Sequence, residues 1–184
     1  MIDLIVALEV ELADITMPPG VRVTCCGVGK VNAALAAAHV LTRPDCRRVI
    51  NYGTAGSLVT ALAGQLVRVA RISQRDMDAR PLAPLGVTPF EDGEVAGEII
   101  LGGDGVRLST GDNFVTSPPE VASDIVDMEA YALAKACHRA GIPFERYKFV
   151  TDLADENATA NWRKNVAKGA GLFCELMTGF DKQS

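Results

Sequence analysis

The chain has 184 residues, enough for one domain (1–184) with a continuous buried core. Hydrophobic residues make up 48% of it and aromatics only 5%, so that core has to be built from Ala, Val, Leu and Ile. The formal net charge is −5 with no cluster of Lys or Arg, which removes the basic footprint a nucleic-acid partner requires.

In chain order, "IDLIVAL" (2–8) is a continuous apolar run of strand length, the pattern of a strand buried on both faces. The same opening, "MIDLIVALEVE", has no basic n-region and meets acids at Asp3 and Glu9, so no signal peptide is expected. "VRVTCCGVG" (21–29) predicts a second strand entering a glycine turn, and "KVNAALAAAHVLT" (30–42) a helix ended before Pro44. "RRVINYG" (47–53) predicts a third strand stopped by glycine, and "QLVRVARIS" (65–73) a half-exposed strand. The proline-bearing segment 76–97 reads as loop. "EIILGGDGVRLST" (98–110) predicts a strand, a turn and another strand, followed by a short strand at "DIVDM". A helix over 128–140, a strand at "PFERYKFVT" (143–151) and one closing helix over 159–178 complete the chain.

Strands alternating with helices imply an α/β fold with a largely parallel or mixed sheet. No apolar run is long enough to span a bilayer, so no membrane association is expected. The five cysteines (25, 26, 46, 137 and 174) are odd in number and lack metal spacing. They predict buried thiols of a reducing, cytoplasmic setting, with neither metal nor cofactor.

Sheets of this class place ligands at the carboxyl ends of their strands. The polar residues to weigh are therefore Glu9 and Glu11, Gly27 to Asn32, Asn51 to Ser57, Asp112 to Phe114, Asp127 to Glu129 and Thr151 to Asp155. "GVGKVN" (27–32) is no dinucleotide fingerprint, because Asn32 stands where a small residue is needed. It is no Walker loop either, because Val31 follows the lysine. Alone it is a glycine turn before a helix, and "NYGTAGS" (51–57) alone is a tight connection. On the 128–140 helix, Lys135, His138 and Arg139 share a solvent face, with Glu129 about 120° away from it. Periodicity leaves Glu129 equally readable as a helix-dipole acid or a functional one. Asp152 follows an apolar strand, while Asp155 and Asn157 are better placed to cap the last helix. Glu11 follows the first buried strand and also reads as a solvated helix start. His39 and His138 lie in helix patterns and are not expected to be catalytic.

Taken in order, "ALEVE" (7–11), "GVGKVNAA" (27–34), "NYGTAGS" (51–57), "RDMD" (75–78), "TGDNFV" (110–115), "DMEAYALAKACHRAGIPF" (127–144) and "VTDLAD" (150–155) resemble one family. It is the nucleoside phosphorylases and nucleosidases, and the similarity is greatest to the 5′-methylthioadenosine/S-adenosylhomocysteine nucleosidase branch. The resemblance implies a three-layer α/β sandwich with a mixed, partly barrel-like sheet, and a homodimer acting on a small nucleoside. It implies Glu11 as the acid that activates water and Asp152 as the acid that protonates N7 of the leaving purine. Glu129 would grip the ribose hydroxyls, Met128 would pack under the sugar, and Phe114 and Val115 would hold the base. Thr54, Ala55 and Gly56 would line the pocket, Val28 and Trp162 would lie near the 5′ substituent, and Lys148 and Thr151 would be further substrate-binding residues.

The chain also departs from the family pattern. It is shorter than typical members around 76–97 and 112–124, regions that shape the 5′ pocket and the subunit contact. Lys148 stands where nucleosidases carry an arginine near the water, keeping charge but not the bidentate fork. "NYGTAGS" lacks the arginine with which phosphorylases hold phosphate, so water is the expected nucleophile unless a neighbouring subunit donates Arg22, Arg43 or Arg75. A phosphate-dependent phosphorylase, a futalosine-type hydrolase and a non-catalytic nucleoside binder are the alternatives.

Overall fold

A computed structural model describes residues 1–13, 15–156 and 158–180, which hold eight strands and four helices. The strands are β1 (Ile2–Val6), β2 (Val21–Cys25), β3 (Arg48–Ser57), β4 (Leu66–Gln74), β5 (Ile99–Ile100), β6 (Val106–Thr110), β7 (Ile125–Asp127) and β8 (Phe144–Asp152). The helices are α1 (Lys30–Leu41), α2 (Ala130–Ala140), α3 (Ala158–Asn165) and α4 (Ala170–Phe180). No helix among the described residues is long and apolar enough to cross a membrane.

All eight strands belong to one mixed sheet. β3 pairs in parallel with β1 and β8 and antiparallel with β7. β4 pairs in parallel with β6 and antiparallel with β8 and β5, and β6 pairs in parallel with β7. The sequence β3, β7, β6, β4, β8 and back to β3 therefore closes a five-stranded ring, with β1 and β2 extending from it beside β3. Along β1, Leu4 and Val6 face a cluster with Phe173 and Met177 of α4, while Ile5 faces Ala33, Ala37, Leu133 and Cys137 of α1 and α2. The period-2 alternation of a doubly buried strand thus generates three layers: α1 and α2, the sheet, and α4. Buried Asp3 is the polar exception. Its burial is opposed by hydrogen bonds from Arg22 (2.8 and 3.1 Å) and Arg43 (2.6 Å), which hold the carboxyl below its ordinary range.

Several sequence expectations need correction. β3 does not stop at Gly53 but runs through "NYGTAGS" to Ser57, for a reason that the active site supplies. β4 is mostly buried rather than half-exposed, because it lies inside the ring between β6 and β8. The thiols are not all buried: Cys25 is exposed, since β2 is the outer edge of the sheet. The closing helix over 159–178 is two helices. At the break, a Cβ on Gly169 would lie 2.3 Å from the Phe149 ring and 2.6 Å from the Tyr52 hydroxyl, so the chain approaches the core too closely there for a side chain. Of the two capping candidates for the last helix, Asn157 lies outside the described residues.

Candidate active site

Three carboxyl side chains reach the carboxyl ends of the central strands, each by a different local device. After β1 a 3-10 turn, Glu9–Leu12, folds Glu11 back toward the sheet rather than into solvent, leaving it 3% exposed. The Ala7 and Leu8 amides each donate to its Oε2 at 3.0 Å, and the Thr54 amide (2.8 Å) and hydroxyl (3.0 Å) donate to Oε1. Four donors on one carboxylate hold it in a single orientation.

Asp152 ends β8. The Thr151 hydroxyl donates to its Oδ2 at 2.7 Å and the Ala154 amide to its Oδ1 at 2.9 Å. Burial nonetheless pushes its carboxyl above the ordinary range, against those two hydrogen bonds. Room for both acids comes from β3. A Cβ on Gly53 would lie 3.1 Å from Glu11 Oε1, and one on Gly56 only 2.9 Å from Asp152 Oδ1. The glycines that suggest a stop in the sequence instead keep a strand bare where two carboxylates lie against it. Here ladder pairing with β8 outweighs the weak strand preference of glycine.

Glu129 stands at the N-terminus of α2 and accepts a hydrogen bond from the Gly29 amide at 2.9 Å. Burial, and then the neighbouring Asp127, push its carboxyl up to about 7, against the pull of Lys148 and the Gly29 amide. Asp127 accepts from the Ala130 amide (2.9 Å) and Thr110 hydroxyl (2.6 Å), capping α2, and its Oδ2 lies 2.8 Å from Lys148 Nζ. Burial alone would lower the Lys148 pKa, but Asp127, Glu129 and Glu11 together hold it above its usual value. A buried ammonium is tolerable only with such partners.

Glu11, Asp127, Glu129 and Asp152 wall a cavity of about 280 Å³. Trp162 and Thr159 of α3 form part of its wall, and the Trp162 indole N–H donates to Thr54 Oγ1 at 3.0 Å. The Thr54 hydroxyl in turn donates to Glu11, so one chain of hydrogen bonds joins α3, β3 and the acid. Among the described residues no group of three or more His, Cys, Asp or Glu side chains is arranged to hold a metal ion.

Against known proteins, the family model of the phosphorylase superfamily matches residues 19–95 and 94–180. The chain belongs to the phosphorylase superfamily. The 5′-methylthioadenosine/S-adenosylhomocysteine nucleosidase of Bacillus thuringiensis is 30% identical, over 78% of this chain and 73% of that protein. The enzyme of the same name from Bacillus cytotoxicus is 28% identical with the same coverage. Among solved structures, the chain superposes on the corresponding nucleosidase of Helicobacter pylori with a TM-score of 0.85 at 21% identity, covering 100% of this chain and 98% of that one. The futalosine hydrolase of Helicobacter pylori gives 0.86 at 21%, covering 100% and 97%. These two likenesses show the same fold.

Of the residues singled out from the sequence, this superfamily member brings Glu11, Val28, Thr54, Ala55, Gly56, Phe114, Val115, Met128, Glu129, Asp152 and Trp162 to the one cavity. Lys148 and Thr151 are not in its wall. Lys148 is 1% exposed and lies behind it on Asp127, and Thr151 is turned to Asp152. The sequence marks Asp127 only as a polar residue after a strand, because a partner 21 positions away on another strand leaves no local signal. Arg75 and Arg163 also line the cavity without having been singled out for it.

Proposed function

We propose that the protein hydrolyses the N-glycosidic bond of a purine nucleoside with a modified 5′ position, releasing free base and sugar. The observation that carries this reading is the convergence of Glu11, Glu129 and Asp152, from the ends of separate elements, on one cavity. Cleavage passes through an oxocarbenium-like sugar, as in glycoside hydrolysis. Asp152, whose carboxyl burial pushes above its ordinary range, gives its proton to N7 as the C1′–N9 electron pair moves into the base. Glu129 holds the ribose hydroxyls and stabilises the developing positive charge. Glu11 takes a proton from water as the water oxygen bonds to C1′. Phe114 stacks on the base and Val115 bonds its edge through the main chain. Met128 lies under the sugar, and Val28 and Trp162 flank the 5′ substituent. Thr151 orients Asp152, and Lys148 offsets the negative charge of the cluster.

Water is favoured over phosphate because the start of α1 and the cations Lys148, Arg22, Arg43 and Arg75 are already engaged. The Gly29 and Lys30 amides at the start of α1 donate to Glu129 (2.9 Å) and Asp112 (2.7 Å), so that helix terminus is filled by carboxylates. Lys148 is held by Asp127, and Arg22 and Arg43 are held by Asp3. The Arg75 guanidinium gives four hydrogen bonds to main-chain carbonyls. Added phosphate is therefore expected to leave the rate of base release unchanged, with free sugar as the product by mass. Ribose 1-phosphate appearing in step with the base would establish a phosphorylase instead.

Glu129→Gln is expected to weaken ribonucleosides far more than their 2′-deoxy counterparts, because a carboxylate paired with a hydroxyl discriminates strongly. Ionisation of Glu129 near pH 7 should also put a rising limb on the kcat/KM profile of the free enzyme, and the substitution should remove it. Equal losses for both sugars would leave Glu129 a helix-terminal acid.

The preference for adenine and a thio-substituted 5′ position is part of the same proposal, supported by the names of the relatives. A futalosine-type nucleoside would need the same acids, and a panel of nucleosides assayed for free base separates the two. A homodimer and a cytoplasmic setting are likewise proposed. All five thiols are free, and α1 leaves Val31 and Leu35 about two-thirds exposed. Sedimentation analysis reports the assembly directly.

A further inference from the structure

The motif "RDMD" carries no role in the chemistry above, yet its first two residues hold together the wall of the cavity. Arg75 directly follows β4 and is 7% exposed. Its Nη1 donates to the carbonyls of Ser109 (2.7 Å) and Asp127 (2.8 Å), and its Nη2 to those of Gly111 (3.0 Å) and Asn113 (2.6 Å). β4, β6 and β7 run in parallel there and end together, and the Asp127 carbonyl also accepts from the Gly111 amide at 3.1 Å. One guanidinium, a planar fork of donors, ties the ends of β6 and β7 to the segment that follows β6. The contact is close: a Cβ on Gly111 would lie 2.9–3.0 Å from Arg75 atoms.

Asp76 completes the arrangement from outside the cavity. Its Oδ2 accepts from the Asp112 amide at 2.8 Å and its Oδ1 from Lys30 Nζ at 2.5 Å. Asp112 in turn accepts from the Lys30 amide at 2.7 Å. The segment 111–115, which delivers Asn113, Phe114 and Val115 to the cavity, is thus held at Gly111, Asp112 and Asn113 by two consecutive residues. It contains no regular secondary structure of its own to fix it.

We propose that Arg75 and Asp76 are positioning residues for the base, setting the segment that carries Phe114 and Val115 and tying it to the start of α1. This rests on the purine-nucleoside reading. Asp76 does not line the cavity, yet its loss frees the Asp112 amide and leaves Lys30 only its longer contact with Asp112 (4.0 Å), so the segment loses its register against the sugar end. The effect should fall on binding of the base more than on the chemical step, because the acids are fixed by other bonds.

The deciding variant is Asp76→Ala, whose side chain is partly solvent-exposed and whose removal leaves the buried core untouched. Adenine binding by calorimetry should weaken about tenfold, with KM rising by a similar factor and kcat changing less than about threefold. Arg75→Lys keeps the charge but not the planar fork, and should weaken adenine at least as much in whatever fraction folds. A folded Asp76→Ala protein with wild-type adenine affinity and KM overturns the inference while leaving the nucleosidase reading intact. Wild-type protein that neither binds adenine nor releases base from any nucleoside overturns the reading itself, and the inference with it.

Discussion

Asp152→Asn is expected to lower turnover by about two to four orders of magnitude while an unreactive substrate analogue still binds. The local structure can absorb the change. An asparagine oxygen still accepts from the Ala154 amide, now 2.9 Å from Oδ1. The Thr151 hydroxyl can reverse its role, accepting from the new amide while donating to the Ala55 carbonyl 3.4 Å away. What is lost is the proton, since a carboxamide has none to give to the departing base. Single-turnover assays alongside thermal melting separate the chemistry from the fold. Near-normal turnover in a folded variant would remove Asp152 from the mechanism.

Glu11→Gln is expected to cost a comparable factor in turnover, about two to four orders of magnitude for loss of the general base, but with a stability penalty that Asp152→Asn lacks. Both oxygens of Glu11 accept from two donors each. A glutamine presents an oxygen to one pair only. Its NH₂ must then face either the Ala7 and Leu8 amides or the Thr54 amide. Leaving a buried donor opposed by a donor costs roughly 1–3 kcal/mol. Urea unfolding should therefore show a lower midpoint, and turnover measured well below that midpoint should still be depressed. Activity within tenfold of wild type under those conditions would assign the attacking water to another base.

The three acids that were legible in the sequence share one property: each stands at or soon after the end of a strand. Glu11 after "IDLIVAL", Glu129 after "DIVDM" and Asp152 after "FERYKFVT" are marked by the abrupt change from apolar to acidic. The ordered motifs then supplied their roles as a resemblance. What the sequence did not disclose depends on contacts between distant segments. The strand character of "NYGTAGS" is invisible to local preference, because its glycines are placed by carboxylates from β8 and from the turn after β1. The Asp127–Lys148 pair joins β7 to β8 across the barrel interior, and nothing in either segment names the other. The carbonyls that surround Arg75 come from β6, β7 and the residue after β6, and nothing in "RDMD" names them. The break between α3 and α4 follows from the bulk of Phe149 and Tyr52, on strands far away in the chain.

The chain contains a single tryptophan, and the structure places it in the wall of the cavity with its indole N–H bonded to the threonine that holds Glu11. All indole emission from this protein therefore originates within one hydrogen-bond relay of the acid assigned to activate water. No label or substitution is needed to make the site optically addressable. A nucleoside entering the cavity changes the surroundings of the only fluorophore of its kind, and stopped-flow mixing can time that arrival separately from the later appearance of free base.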